Sequence, residues 1–321
     1  MARYVLRRLI YLIPLVIGIT MITFLLANLA PGSPLGSLEL DPNITPQDFA
    51  RIEASLGLNK PLYIRYFQWF SHIIRGDFGI SLITYRPVLG TILQKLPNTL
   101  ELSLAALALS LAFSVPIGVY AAVKRNSVFD QLTTVGSVAG FAMPTFFFGL
   151  LMIVIFSVKF KEWGLPSLPS GGVISVGGGG FVDRFEHLIM PAFVLAFVQT
   201  ARWTRYLRSQ MIDVLRQDFV RTAESKGLKN RVVILRHGLR NGVLPLVTLL
   251  ALDIPNLFSG QVIIEQIFTW NGVGRLIIDS VNSRDYTVVM GTTLFIAMLV
   301  VVANLLADVV YGVIDPRVRY D

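Results

Sequence analysis

The sequence has no cysteine and only three histidines in 321 residues. The first absence removes disulfides, thiolate metal sites and cysteine nucleophiles together, and leaves the redox compartment unread. His72, His187 and His237 stand apart, without metal-ligand spacing. Charge is also scarce: Asp, Glu, Lys and Arg make up 15% of the chain, against about 25% in soluble domains. No Gly-Lys dipeptide occurs, which excludes the phosphate loop that ends in Gly-Lys-Ser or Gly-Lys-Thr. The pair Gly171-Gly172 and the run Gly177 to Gly180 lack a following Lys-Ser or Lys-Thr and read as a flexible loop. No Ser/His/Asp constellation falls on a soluble element, so no catalytic site is expected, and no cofactor or metal bound by this chain.

Apolar sequence takes the place of what is missing. Hydrophobic residues make up 54% of the chain and mean hydropathy is +0.64, which defines an integral membrane protein. After Arg3, Arg7 and Arg8, Leu9 to Leu29 runs 21 residues without a charge. A spanning helix needs about 20 apolar residues, whereas a cleavable signal has ~7–15. This is therefore a retained first helix, its amino end cytoplasmic by the positive-inside rule. Further apolar windows cover Thr99 to Val123, Gln131 to Val158, Leu188 to Ala201, Val243 to Ile264 and Val288 to Ala307. The window from Leu188 has only 14 residues, but counting it as a span keeps Lys124-Arg125 on the same face as the main basic cluster. The predicted fold is all-α with six transmembrane helices and both termini cytoplasmic. The fourth helix extends past the bilayer through Arg202 to Arg208.

The domain plan follows. Residues 1–30 are the cytoplasmic amino terminus and first helix; 31–98 form a small extracytoplasmic domain; 99–313 hold a five-helix core with a cytoplasmic region at 209–242; 314–321 are a cytoplasmic tail. The 31–98 segment is too long for a simple loop, and short helices are predicted over Asp48 to Leu56 and Pro61 to Ile74. Its Arg75-Gly76-Asp77 triplet is three common residues with no specific mechanism attached.

The net charge of +8 concentrates between two apolar windows: Arg202, Arg205, Arg208, Arg216, Arg221, Lys226, Lys229, Arg231, Arg236 and Arg240. Ile212, Leu215, Phe219 and Thr222-Ala223 recur at helical spacing, predicting an amphipathic helix over Asp213 to Lys226. Gly227 then stops it, and a second helix fits Asn230 to Leu239. The physics alone leaves two readings open: a topology signal that contacts anionic lipid, or a working cytoplasmic knob. Little aromatic interleaving and the membrane tether exclude a nucleic-acid reader.

Polar residues inside the apolar windows are few. Asp253 lies near the middle of one, where a carboxylate faces protein or water. With Pro255, Asn256 and Gly260 nearby, it marks either an interrupted helix lining a solute path or a hydrogen bond to a partner chain. Phe146-Phe147-Phe148 after Pro144 fits an apolar gate or plain packing. Glu265 and Asp308, near span ends, read as interfacial pairs. An ion-coupled secondary transporter is the alternative class, but it calls for several intramembrane ionisable groups and paired repeats, and neither is evident here.

Asp218-Phe-Val-Arg-Thr-Ala-Glu-Ser-Lys-Gly-Leu228, then Arg236-His-Gly-Leu-Arg-Asn241 and Leu244-Pro-Leu-Val-Thr248, resemble the coupling loop of ABC-importer permeases of the dipeptide and oligopeptide family. The likeness covers nearly the whole chain, including Pro31-Gly-Ser-Pro34, Arg75-Gly-Asp-Phe-Gly79, Glu265-Gln-Ile-Phe-Thr-Trp-Asn-Gly-Val-Gly-Arg275 and Asp308-Val-Val-Tyr-Gly-Val-Ile-Asp-Pro-Arg317. It is greatest to the subunit with a large outside domain after its first helix. Arg221-Thr222 stand where the general importer motif has Glu-Ala, and Arg240 where it has proline; both departures are usual in the peptide branch. Asn271 sits where the branch commonly has proline. The resemblance implies an inner-membrane permease that pairs with a second homologous permease, an extracytoplasmic solute-binding protein and two ATPase subunits that use ATP and Mg. It implies that Asp218, Arg221, Thr222, Ala223, Glu224, Ser225, Lys226, Gly227 and Leu228 couple this chain to the ATPase, with Ala223, Ser225 and Gly227 small enough for close approach. Asp253, Asn256, Gly260 and Phe146 are candidates for the path.

Overall fold

A computed structural model describes residues 2–29, 45, 47, 51, 59–257 and 261–314. Asp48 to Leu56 apart from Arg51, the 314–321 tail beyond Ile314, and Gly260 lie outside the described residues. The described chain is helical, and its one β-type pairing is an isolated bridge between Ile80 and Pro87.

Helix α1 is Ala2–Leu29, and α2 is Leu62–Ile74. Tyr66 joins them: its hydroxyl lies 2.9 Å from Thr20 Oγ1, and its ring meets Phe24 edge-on at 5.5 Å. Helix α3 spans Val88–Val123, beginning well before the apolar window at Thr99. At 36 residues it is ~54 Å long, more than the ~30 Å of hydrocarbon a span must cross.

Helices α4, Val128–Ala142, and α5, Thr145–Glu162, meet at 99°. The sequence predicted a single span from Gln131 to Val158, and Pro144 explains the difference. Proline lacks the N–H that would continue the helix and pushes the residue before it into extended backbone; Met143 takes φ −80° and ψ 121°.

Helix α6, Phe181–Val214, absorbs the short apolar window and carries it on through the arginines. It packs along α3, where Ala106, Ser110, Ser114, Gly118 and Ala122 recur every fourth residue and are all buried. Such a stripe lets two helix backbones approach closely. A Cβ on Gly118 would lie 3.1 Å from the Thr204 carbonyl.

Helix α7 is Asp218–Ser225. Helix α8 runs 230–242, with a π-helical middle over Val233–Leu239. Helix α9, Leu244–Asp253, tightens into a 3-10 turn over Ile254–Leu257, so the expected interruption near Pro255 is present. Short helices α10, Val262–Ile267, and α11, Val273–Asn282, lead into α12, Tyr286–Ile314. Among the described residues, Leu12–Leu29, Val88–Val123 and Tyr286–Leu305 qualify as spans by length and apolar composition alone, with a fourth if the bent α4–α5 pair is one span.

Candidate functional site

The predicted Asp213–Lys226 helix is broken. Helix α6 ends at Val214, and Gln217 takes extended backbone (φ −71°, ψ 151°) before α7 begins. A straight continuation would carry Val220 and Ala223 into water. The break folds them back, and both are buried with Val233 against Leu215. This small core joins α7 to α8 as one knob. Ala223 is small because it lies inside the knob, which corrects its expected place on the contact surface. Gly227 has φ +74°, and an added Cβ there would meet nothing within 4 Å. Its demand is for left-handed backbone, not for space. The turn is closed by the Gly227 N–H donating to the Glu224 carbonyl at 2.9 Å.

The rest of the motif is presented to the surroundings: Asp218, Arg221, Thr222, Glu224, Ser225 and Lys226 are exposed. Among them stand apolar side chains, Phe219 at 42% exposed and Leu228 at 41%, with Val232 and Leu235 on α8. The knob is seated on α6 through glycines: a Cβ on Gly238 would lie 3.3 Å from Met211 Cε, and one on Gly242 would strike Met211 Sδ. Met211 in turn packs with Trp203, Leu207, Val119 and Leu246. The knob therefore bears on α6, and α6 on α3.

A second feature is a cavity of about 450 Å³ between the α4–α5 elbow, α6 and residues 261–264. Gln199, Arg202, Gln261 and Thr145 supply its polar wall, and Phe141, Leu195 and Val198 its apolar wall. Asp253 is ion-paired with Arg202, with the carboxylate 17% exposed and the guanidinium 50%. The pair sets Arg202 beside α9, and Arg202 also lines the cavity. The cavity lining does not include Phe146, which is half exposed. Phe148 turns inward onto Phe197 at 4.7 Å. Asn256 lies on the 3-10 turn.

The segment 265–275 departs most from expectation. Glu265, read as an interfacial pair, has no exposed surface. Thr99 Oγ1 donates to its Oε1 at 2.8 Å, and the Arg275 N–H to its Oε2 at 2.9 Å. Its carboxylate thus caps the start of α11, where unpaired backbone N–H groups and the helix dipole favour negative charge. Gly272 and Gly274 are required because a Cβ on either would collide with the carboxylate or with Val262. Trp270 is fully buried, and its Nε1 donates to the Asn98 carbonyl at 2.8 Å. The glycine pair expected to be flexible is tied down here as well, with the Gly172 N–H donating to the Phe268 carbonyl at 2.8 Å.

His187 is buried, with Nδ1 2.9 Å from the Asp183 carbonyl. Among the described residues no three His, Cys, Asp or Glu side chains gather into a metal site. Three features escaped the sequence reading: Gln199, the burial of Glu265 and the Gly238–Met211 seat. Of these only Gln199 carried a signal, as a lone amide in an apolar window.

The knob, the cavity and the 265–275 segment all lie within residues 114–320, which match the profile of the binding-protein-dependent transport system inner membrane component. Residues 1–105 match the N-terminal membrane component of such systems. The oligopeptide transport system permease protein AppB of Bacillus subtilis is 44% identical over 100% of both chains. The dipeptide transport system permease protein DppB of Escherichia coli is 37% identical over 100% of this chain and 99% of its own. The glutathione transport system permease protein GsiC of Salmonella typhimurium is 36% identical over 100% of both. These matches cover both ends of the chain and define a transport permease. The chain belongs to the family of inner-membrane components of binding-protein-dependent transport systems, as the permease subunit of an ABC importer. These relatives give no support to an ion-coupled transporter.

Proposed function

We propose that this chain imports peptides, as one of two homologous permeases working with two cytoplasmic ATPase subunits and an extracytoplasmic binding protein. In this reading the chain spans the membrane six times with both termini inside, and residues 31–98 face outside. ATP and Mg are used by the partners. The names of the relatives support the solute class. The observation that carries the mechanism is the α7–α8 knob: a rigid unit with its own small core, exposing Phe219 and Leu228 and seated on Met211 of α6.

The mechanism follows from these contacts. Closing of the ATPase dimer pushes the knob, the Gly238–Met211 seat passes the displacement to α6, and the small-residue stripe passes it to α3. Packed elements of this kind move as units. Gly227 holds the turn between the helices in a conformation that costs a residue with a Cβ about 1–2 kcal/mol. Gly227→Val should therefore lower peptide uptake per ATP hydrolysed in proteoliposomes while the protein remains inserted. Uptake and peptide-stimulated hydrolysis both at wild-type levels would remove the knob from the mechanism.

A further inference from the structure

The cavity on α6 carries an assignment that the coupling mechanism does not use. Its volume of about 450 Å³ falls within the ~300–1,000 Å³ of small-molecule sites. Most of its wall is apolar, and its polar groups are few and specific. Gln199 Oε1 is buried and accepts no hydrogen bond among the described residues. A buried acceptor without a donor is costly, and this one lines a cavity that can admit a donor. One turn further along the same helix, Arg202 offers a half-exposed guanidinium, a group whose planar fork suits carboxylates. Asp253, itself outside the lining, lies against that guanidinium from α9 and offsets its charge.

We infer that this cavity is a way-station for zwitterionic solute, in which Arg202 receives the terminal carboxylate and Gln199 Oε1 the terminal ammonium. The inference rests on the peptide-import reading and names the part of the solute that the membrane path recognises. The spacing fits. Residues three apart on a helix hold their Cβ atoms roughly 5–6 Å apart on one face, and a two-residue peptide spans at most ~7 Å. With the Arg202 charge offset by Asp253, the site has no excess charge that would favour a simple anion or cation over a solute with both charges. The apolar walls of Phe141, Leu195 and Val198 accept side chains without selecting among them.

The test uses the whole complex in proteoliposomes, with both permeases, both ATPases and saturating binding protein loaded with alanyl-alanine. Three variants are compared: Arg202→Gln, the neutral double variant Arg202→Gln/Asp253→Asn, and Gln199→Leu. Gel filtration with the ATPase subunits verifies their assembly. A solute site predicts that the double variant stays at least tenfold below wild type in uptake per ATP hydrolysed, as Arg202→Gln does, and that Gln199→Leu loses several-fold. A purely structural ion pair predicts that the double variant recovers, since no charge is left unpaired. Recovery, or a wild-type ratio in Gln199→Leu, overturns the assignment. Absence of ATP-driven uptake by the wild-type complex is a different failure. It sinks the importer reading itself, and this inference with it.

Discussion

Glu265 and Gly227 sit on two parts of the chain that are held in opposite ways. Around Glu265 nothing is free: the carboxylate is fully buried, takes bonds from Thr99 and Arg275, and is closed in by Gly272, Gly274 and the buried Trp270. Around Gly227 almost everything is offered outward, and only Val220 and Ala223 of α7 are buried. The 265–275 segment is stabilised by burial and satisfied polar groups and tolerates no change of shape. The knob is stabilised by a three-residue core and one backbone conformation, and leaves polar and apolar surface exposed. The proposed coupling mechanism needs both, a fixed frame and a projecting part that can be grasped.

The contrast can be broken from either side. The largest loss of stability should come from Trp270→Ala, about 4 kcal/mol, by the cost of deleting a buried indole and leaving a cavity. Melting of the detergent-purified protein reads it directly. Glu265→Ala follows at about 3 kcal/mol, since the Thr99 hydroxyl and the α11 N–H groups lose a buried acceptor; Glu265→Gln, which keeps an acceptor, should lie between. In the knob, Ala223→Leu should cost about 2 kcal/mol by overpacking against Val233. Hydrogen exchange should show that loss confined to 215–242. If exchange in 265–275 rose equally, the two parts would not be separate.

The smallest effect concerns acid. The Gly79 N–H, donating at 2.9 Å, and then His72 hold the exposed Asp77 carboxylate below its ordinary range. A depressed carboxylate adds stability that is present above its unfolded pKa, about 3.9, and is lost as pH falls through the lower folded value. The small difference between Asp77→Asn and wild type should therefore not shrink between pH 8 and pH 5, and should vanish only in stronger acid. A difference that shrank between pH 8 and pH 5 would contradict this.

What the sequence made legible was whatever depends on neighbours along the chain. The apolar runs predicted α1, α3 and α12, and the arginine-bearing extension of the fourth window appears as the continuous α6. The glycine stop at Gly227 falls where its φ of +74° requires it. Illegible were the features made by distant partners. Glu265 and Thr99 are 166 residues apart, so a glutamate at the edge of an apolar run read as an interfacial ion pair. The sequence does not reveal that Arg202 and Asp253, 51 residues apart, pair with each other. Pro144 could have been read as a break, but the apolar run across it was unbroken, and composition outweighed the missing N–H. Ala223 was recognised as necessarily small, but whether smallness serves a partner or the chain's own core is decided only by which way the helix turns after Gln217.

The central claim is that the exposed face of the knob is what the ATPase grips. The most direct measurement is co-purification of the ATPase subunits with wild type and with Phe219→Asp/Leu228→Asp. Both side chains are about two-fifths exposed, so the double variant should melt like wild type while retaining less than a tenth of the bound ATPase. Full retention of the ATPase by a variant that folds normally would contradict the claim.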